Sequence, residues 1–255
     1  MAGRILTQIG YPLAGVALII ALWAALCAYL NIPTVVLPTP DKVLTAFIAR
    51  FDLIMSEGWV TLKETLYGFI LAIVIGIPMA VAVANSRPLN LMFYPLLIGL
   101  QSVPKVALAP IILVWLGTGM ESKLAIVWLV AFFPIIVDTV AGLRSTPREL
   151  LELARSLKAT PMQVFLKVQL PAALPFIITG AKVAITLAVI GAVIGEFVGS
   201  SEGLGYLLLS ATSQLDTPLA FAALFALSFL GMFVYLLVEW AERLAAPWLP
   251  PAPRH

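Results

Sequence analysis

Residues Ser145 to Pro175 read S-T-P-R-E-L-L-E-L-A-R-S-L-K-A-T-P-M-Q-V-F-L-K-V-Q-L-P-A-A-L-P, the most charged stretch of a very apolar chain. Two helix starts are written into it. Thr146 is followed by Pro147 and, three residues on, by Glu149, the pattern of a capping box with proline at the first helical position. Thr160, Pro161 and Gln163 repeat the device. Between them Leu150, Leu153, Ala154 and Leu157 fall at i, i+3, i+4 and i+7, one apolar stripe on a short helix. Arg148, Glu152 and Arg155 lie across from it at spacings that pair. The reading is two short amphipathic helices meeting at a turn near Lys158 and Ala159, closed by Pro171 and Pro175, where a long apolar run begins. A plain interfacial connector lying on a bilayer is the simpler alternative.

The rest of the chain says what this stretch connects. Of 255 residues, 62% are hydrophobic and 11% charged, and mean hydropathy is +1.05. Ordinary soluble domains carry about 25% charged residues. We read an all-α integral membrane protein forming a single domain over residues 1–255. Leu13 to Leu30 is an uncharged run longer than a secretory signal core, read as a retained anchor and first span. Asn31 to Val60 is polar by comparison, with a surface helix expected over Lys42 to Phe51 and capped by Asp41; a plain extended connector is the alternative. The second span is Thr65 to Ala84. The third, Leu89 to Trp115, is interrupted by Gln101-Ser102-Val103-Pro104-Lys105 and by Pro110. The fourth is Leu124 to Leu143 and the fifth Phe176 to Val198. Ser200 to Pro218 is read as an exposed loop, and Leu219 to Val238 as the sixth span. Beyond it lies a proline-rich tail.

Orientation follows from Lys and Arg. With six spans and the N-terminus inside, the inner segments hold Arg4, Arg87, Arg144, Arg148, Arg155, Lys158, Lys167, Arg243 and Arg254. The outer loops hold Lys42, Arg50 and Lys123. Both termini and the charged stretch are therefore expected in the cytoplasm. A net charge of +2 argues against a nucleic-acid partner. Cys27 is single and excludes an intrachain disulfide. His255 is the one histidine, so no histidine relay, triad or histidine metal site is available within one chain. No G-x-x-x-x-G-K-[ST] cradles a nucleotide.

Ionisable residues inside spans are functional candidates by default, because isolated charge there is expensive. Broken helices are also where many transporters contact their solute. Gln101, Lys105 and Glu196 are accordingly the pathway candidates, Lys105 for an anionic solute. Asp138 and Lys182 lie at matching depths of about 8–9 Å from the inner ends of their spans, and form a candidate structural pair. An ion-coupled secondary transporter or channel remains an alternative. It calls for coupling carboxylates near the midplane or inverted repeats, and neither is evident. An intramembrane enzyme lacks residues for chemistry.

The charged stretch also resembles the EAA loop of permease subunits of bacterial ABC importers, E-A-A-x3-G-x9-I-x-L-P. Here it runs Glu152-Leu153-Ala154, Lys158 and Val168-Gln169-Leu170-Pro171, with Leu153 in place of the central alanine and Lys158 in place of the glycine. Glycine there permits a positive φ at the bend, so Lys158 either accepts strain or the turn is built differently. The flanks are similar to the nitrate/sulfonate/taurine-type permeases: Leu37-Pro38-Thr39-Pro40, Ala131-Phe132-Phe133-Pro134-Ile135, and Gly195-Glu196-Phe197-Val198-Gly199 through Gly203-Leu204-Gly205-Tyr206. The resemblance implies a type I importer permease in a bacterial inner membrane. It implies a cytoplasmic coupling loop over residues 145–172, in which Leu150, Glu152, Leu153, Ala154, Arg155, Leu157 and Lys158 meet an ATPase. The implied partners are a second permease copy, two ATPase subunits carrying ATP and Mg, and an extracytoplasmic binding protein. No cofactor is expected in the chain itself. The solute implied is small and in many relatives an anion: nitrate, bicarbonate, a sulfonate such as taurine, or an organic carboxylate.

Overall fold

The structure is a computed structural model that describes residues 2–245, with side chains described from Gly10 onward except at residues 12, 13 and 245. The Arg4 side chain, the proline-rich tail, Arg254 and His255 lie outside the described residues. The described chain is helical, in the order α1 (Ala2–Tyr29), α2 (Pro40–Ala49), α3 (Phe51–Asn85), α4 (Arg87–Gln101), a 3-10 turn (Lys105–Leu108), α5 (Ala109–Leu116), α6 (Met120–Arg144), α7 (Arg148–Ser156), α8 (Pro161–Val164), a π-helical stretch (Phe165–Gln169), α9 (Leu170–Gly199), α10 (Leu204–Ser213) and α11 (Thr217–Ala245). Four runs are long and apolar enough to cross a bilayer: α3, α6, the continuous Pro161–Gly199 segment and α11. The interrupted third span is present as α4 and the segment Lys105–Leu116, bent by 91° at the break. In α1 the described apolar stretch is Ala14–Tyr29.

Several expected boundaries move. The surface helix starts at Pro40 with Thr39 before it, so Asp41 sits in its first turn and not at its cap. The polar segment up to Val60 is no connector from Phe51 onward: it is the start of α3, which runs 35 residues without a break. Ser200 to Pro218, expected as an exposed loop, contains α10, whose Leu204, Gly205, Leu207 and Ala211 are buried. Leu204, Leu207 and Ala211 pack with Val43, Ile54, Leu219, Ala223 and Leu227, tying α10 to α2, α3 and α11.

The main core joins α3, α6 and α9 through Phe69, Ala72, Val127, Ala131, Ile135, Ile136, Ala184, Ile185 and Ala188. Apolar tails compete with apolar side chains in a bilayer, so helices there associate by close packing and small residues. The α6–α9 seam shows this along its length. A β-carbon on Gly142 would lie 2.7 Å from Cβ of Phe176 and 3.0 Å from the Ala173 carbonyl oxygen. One on Gly191 would lie 3.0 Å from Cα of Val127. The first is closer than side chains tolerate and the second is tighter than nearly all such contacts, so glycine sets how closely these helices approach. We expect Gly142→Val to destabilise the protein by about 1–3 kcal/mol through overpacking. Gly231→Ala, where nothing lies within 4 Å, is the neutral comparison. Unfolding in detergent, followed by temperature or by added sodium dodecyl sulfate, measures both. Equal stabilities would show that the seam is loosely packed.

Candidate functional site

The charged stretch leaves α6 at one end of the seam and returns into α9 at the same end. Its first expected capping box is not made. The Thr146 hydroxyl donates to the Leu143 carbonyl at 3.1 Å, closing α6, and Pro147 is the residue that precedes α7. Pro147 is extended, with ψ of 136°, so the helix starts one residue later than the box requires. The second box is complete. The Gln163 N–H donates to Thr160 Oγ1 at 3.3 Å, and the Thr160 N–H donates to Gln163 Oε1 at 2.9 Å. Between the two helices Lys158 adopts φ of +54°, the left-handed conformation that the family pattern gives to glycine. Its N–H bonds the Arg155 carbonyl at 2.9 Å, and the Ala159 N–H bonds that of Ala154 at 3.0 Å. The bend is therefore the expected one, built at some backbone cost.

The apolar stripe of α7 divides. Ala154 turns into the body of the protein and is 8% exposed, while Leu150, Leu153 and Leu157 are 45%, 56% and 73% exposed. Glu152 and Arg155 are exposed beside them. Met162 and Leu166 add apolar surface on the return. From there the chain widens into the π-helical stretch before α9. Pro171 supplies no N–H for the carbonyl of Lys167 four residues back, which accounts for the irregular hydrogen bonding there. The widened stretch joins α8 to α9 in one continuous run.

At the opposite end of the seam lies a buried polar cluster that sequence reasoning did not foresee. Lys123, 4% exposed, pairs with Glu64 at 2.7 Å, and with the more exposed Glu202 at 3.7 Å. Glu196, expected as a pathway residue, is 1% exposed. Its carboxylate accepts from the Thr61 hydroxyl at 2.6 Å and from the Gly205 N–H. The Leu204 N–H donates to Thr61 Oγ1 at 2.8 Å, and the Gly203 N–H to Glu57. The first N–H groups of α10 are thus capped by side chains from α3 and α9. A helix start has unpaired donors and a partial positive charge, and three side-chain oxygens meet both needs. Gly203 has φ of +103°, and a β-carbon there would run into the Glu196 carboxylate. The signal was present in G-E-F-V-G…G-L-G-Y, whose glycines leave room for an acid. Glu64 was hidden because it immediately precedes an uncharged run.

Asp138 and Lys182 do not pair. Gly180 faces Asp138, and Lys182 is two residues further on, about 200° around the helix. Lys182 instead pairs with Glu242 of α11. Matching depth was right, but direction around the helix decides contact. Gln101, Lys105 and Asp138 do come together, lining one cavity at the break between α4 and α5.

A bundle of apolar helices with a broken span and an amphipathic helical loop at one end of its central helix pair has the features of a membrane transport subunit. The family model for the binding-protein-dependent transport system inner membrane component matches residues 72–249, and the chain belongs to that family. It is 38% identical over 216 residues to the formylaminopyrimidine transport permease protein ThiX of Halalkalibacterium halodurans, covering 83% of this chain and 85% of that one. It is 32% identical over 237 residues to the putative aliphatic sulfonates transport permease protein SsuC of Bacillus subtilis, covering 91% and 85%. A chain of the inward-facing MetNI methionine ABC transporter shares the fold, with TM-score 0.66 and 24% identity over 79% of this chain and 99% of that one. The chain is thus an ABC importer permease subunit with the type I fold.

The far-end cluster gives a sharp expectation. Lys123→Met strands the buried Glu64 carboxylate and should cost about 3–5 kcal/mol, whereas Lys123→Met with Glu64→Gln should regain most of the loss. Detergent unfolding of the two variants checks this. A cost below about 1 kcal/mol for Lys123→Met would mean that water already solvates the cluster.

Proposed function

We propose that this permease carries a small organic solute across a bacterial inner (plasma) membrane. Residues 1–255 act as a single domain of six spans, α1 supplying the first, and two copies of the chain enclose the pathway. Residues 145–172 lie in the cytoplasm with both termini. Two ATPase subunits, carrying ATP and Mg, sit against them, and a binding protein delivers the solute from the other side. Both the pyrimidine permease and the sulfonate permease among its relatives support a small solute.

The observation that carries this reading is the exposed row Leu150, Leu153 and Leu157 on a helix whose other exposed groups are charged. A helix lying on lipid would turn its leucines to the same surface. Here the short connections to α6 and α9 tie the helix to the packed pair, so a push on it reaches the seam. Leucines give contact area at an ATPase surface, while Glu152 and Arg155 set orientation and partner choice by charge. Ala154 seats the helix against the permease body, and Lys158 fixes the bend.

Glu152→Lys tests the assignment. The variant keeps the leucine row, the Thr160 box and the fold, so it should insert and remain folded. ATPase pull-down or solute-stimulated hydrolysis should fall at least tenfold, because an unpaired or like-charge contact at an interface costs several kcal/mol. A lipid-lying connector would instead gain attraction to anionic lipid. Normal ATPase binding and transport by Glu152→Lys would remove the role given to this helix.

Orientation has its own test. In a Cys27→Ser background, Ser156→Cys and Ser201→Cys should react with an impermeant maleimide from opposite sides of the membrane. Reaction of both from one side would overturn the six-span arrangement.

A further inference from the structure

Between α6, α9 and the break after α4 lies a cavity of about 490 Å³. Small-molecule sites fall in the range of roughly 300–1,000 Å³. Its wall is aliphatic and aromatic, including Phe133, Leu187 and Ile190, apart from three polar side chains: Gln101, Lys105 and Asp138. Two of these ionise, and both are held at membrane depth, where an isolated charge is expensive.

Neither ionisable group is used up by the protein. Among the described residues the ion pairs join Lys123 to Glu64 and Glu202, Lys182 to Glu242, and Arg243 to Glu239. Lys105 and Asp138 take part in none of them. The Lys105 ammonium donates to the Gln101 carbonyl at 3.2 Å and stands 4.8 Å from the centre of the Phe133 ring. Two of its three donors remain. Asp138 has Gly180 opposite: a β-carbon there would lie 2.9 Å from Cβ of Asp138 and 3.1 Å from its Oδ2. The chain thus places its smallest residue where the carboxyl needs room.

The charges also decide between ligand classes. One ammonium and one carboxylate leave the cavity near neutral, so a simple inorganic anion attracted by Lys105 is opposed by Asp138. Residues 133 and 138 are separated by about 7.5 Å along the helix axis, and Lys105 stands over the first, so the ammonium and the carboxyl lie at different levels of the cavity. A substituted ring lying against Leu187, Ile190 and the other apolar walls can meet one at each end. We propose that this cavity holds the solute in transit, and that the solute is an amino-substituted heteroaromatic ring. Its exocyclic amine donates to Asp138, and a ring nitrogen or carbonyl oxygen accepts from Lys105. This rests on the permease reading above and adds the solute class to it.

The test uses the permease with its ATPase in lipid nanodiscs, and radiolabelled cytosine and 4-amino-5-hydroxymethyl-2-methylpyrimidine as probes, with benzoate and nitrate as competitors. At least one aminopyrimidine should bind. Asp138→Asn, which keeps the shape but loses the charge, should weaken it at least tenfold, and so should Lys105→Gln. A hundredfold excess of nitrate or benzoate should displace little of it. Thermal unfolding of each variant, expected to match the wild type, separates lost binding from lost fold. Absence of aminopyrimidine binding, binding indifferent to Asp138→Asn, or ready displacement by nitrate would overturn the proposal. If the ATPase still associates and responds to Glu152→Lys as expected, only the solute class has failed. If it does not associate, the permease reading has failed first.

Discussion

The close approach of α6 and α9 is the constraint on which the other features hang. Gly142, Gly180 and Gly191 let the two backbones come nearer than side chains allow, and in lipid such contact is what holds helices together. Everything with a proposed function is attached to this pair. The amphipathic loop joins them at one end, the cavity opens beside their middle, and the buried polar cluster ties them to α3 and α10 at the other end. A tightly packed pair moves as a body, because packed interiors shift between discrete arrangements and do not stretch. A displacement applied at α7 is therefore carried toward the cavity and the far end without being absorbed on the way.

The far-end cluster shows how the other end is kept together. This end holds two fully buried carboxylates, Glu64 and Glu196, and one buried ammonium, Lys123, which pairs with Glu64. The shortfall in positive charge is met by the start of α10, whose N–H groups point at Glu57, Thr61 and Glu196. Pairing and hydrogen bonding are the two conditions under which a protein tolerates buried charge. The arrangement holds the α9–α10 connection against α3 by specific bonds in a region where greasy contacts alone carry little direction.

The readable parts of the sequence were those governed by local rules. Uninterrupted apolar runs marked spans, the T-P-x-Q pattern marked α8, and the loop pattern put Lys158 at a left-handed bend that the structure contains. What stayed hidden depended on direction in three dimensions. Asp138 and Lys182 share a depth, yet Gly180 shows which side of α9 faces α6, and Lys182 lies on another. Glu196 stood out as an acid inside a span, but nothing local announced its partners, the Thr61 hydroxyl 135 residues away and the Gly205 N–H. Thr146 satisfied a capping pattern and was drawn instead to the end of the preceding helix. The exposed leucines of α7 were visible as a stripe, though not which of them Ala154 would leave facing outward.

We propose that α7 is the surface through which ATP hydrolysis reaches the membrane helices. Leu157, 73% exposed at the end of that helix, is the most direct place to ask. A Leu157→Cys protein in the Cys27→Ser background, purified with its ATPase in nanodiscs, would be labelled with benzophenone maleimide, whose ketone inserts into a neighbouring C–H bond under light, and irradiated in the presence of ATP, of ADP and of no nucleotide. We expect one product joining permease to ATPase, with a yield that depends on the nucleotide. An ATPase that copurifies but never crosslinks to this position, or a cysteine that reacts only from the side opposite the ATPase, would contradict it.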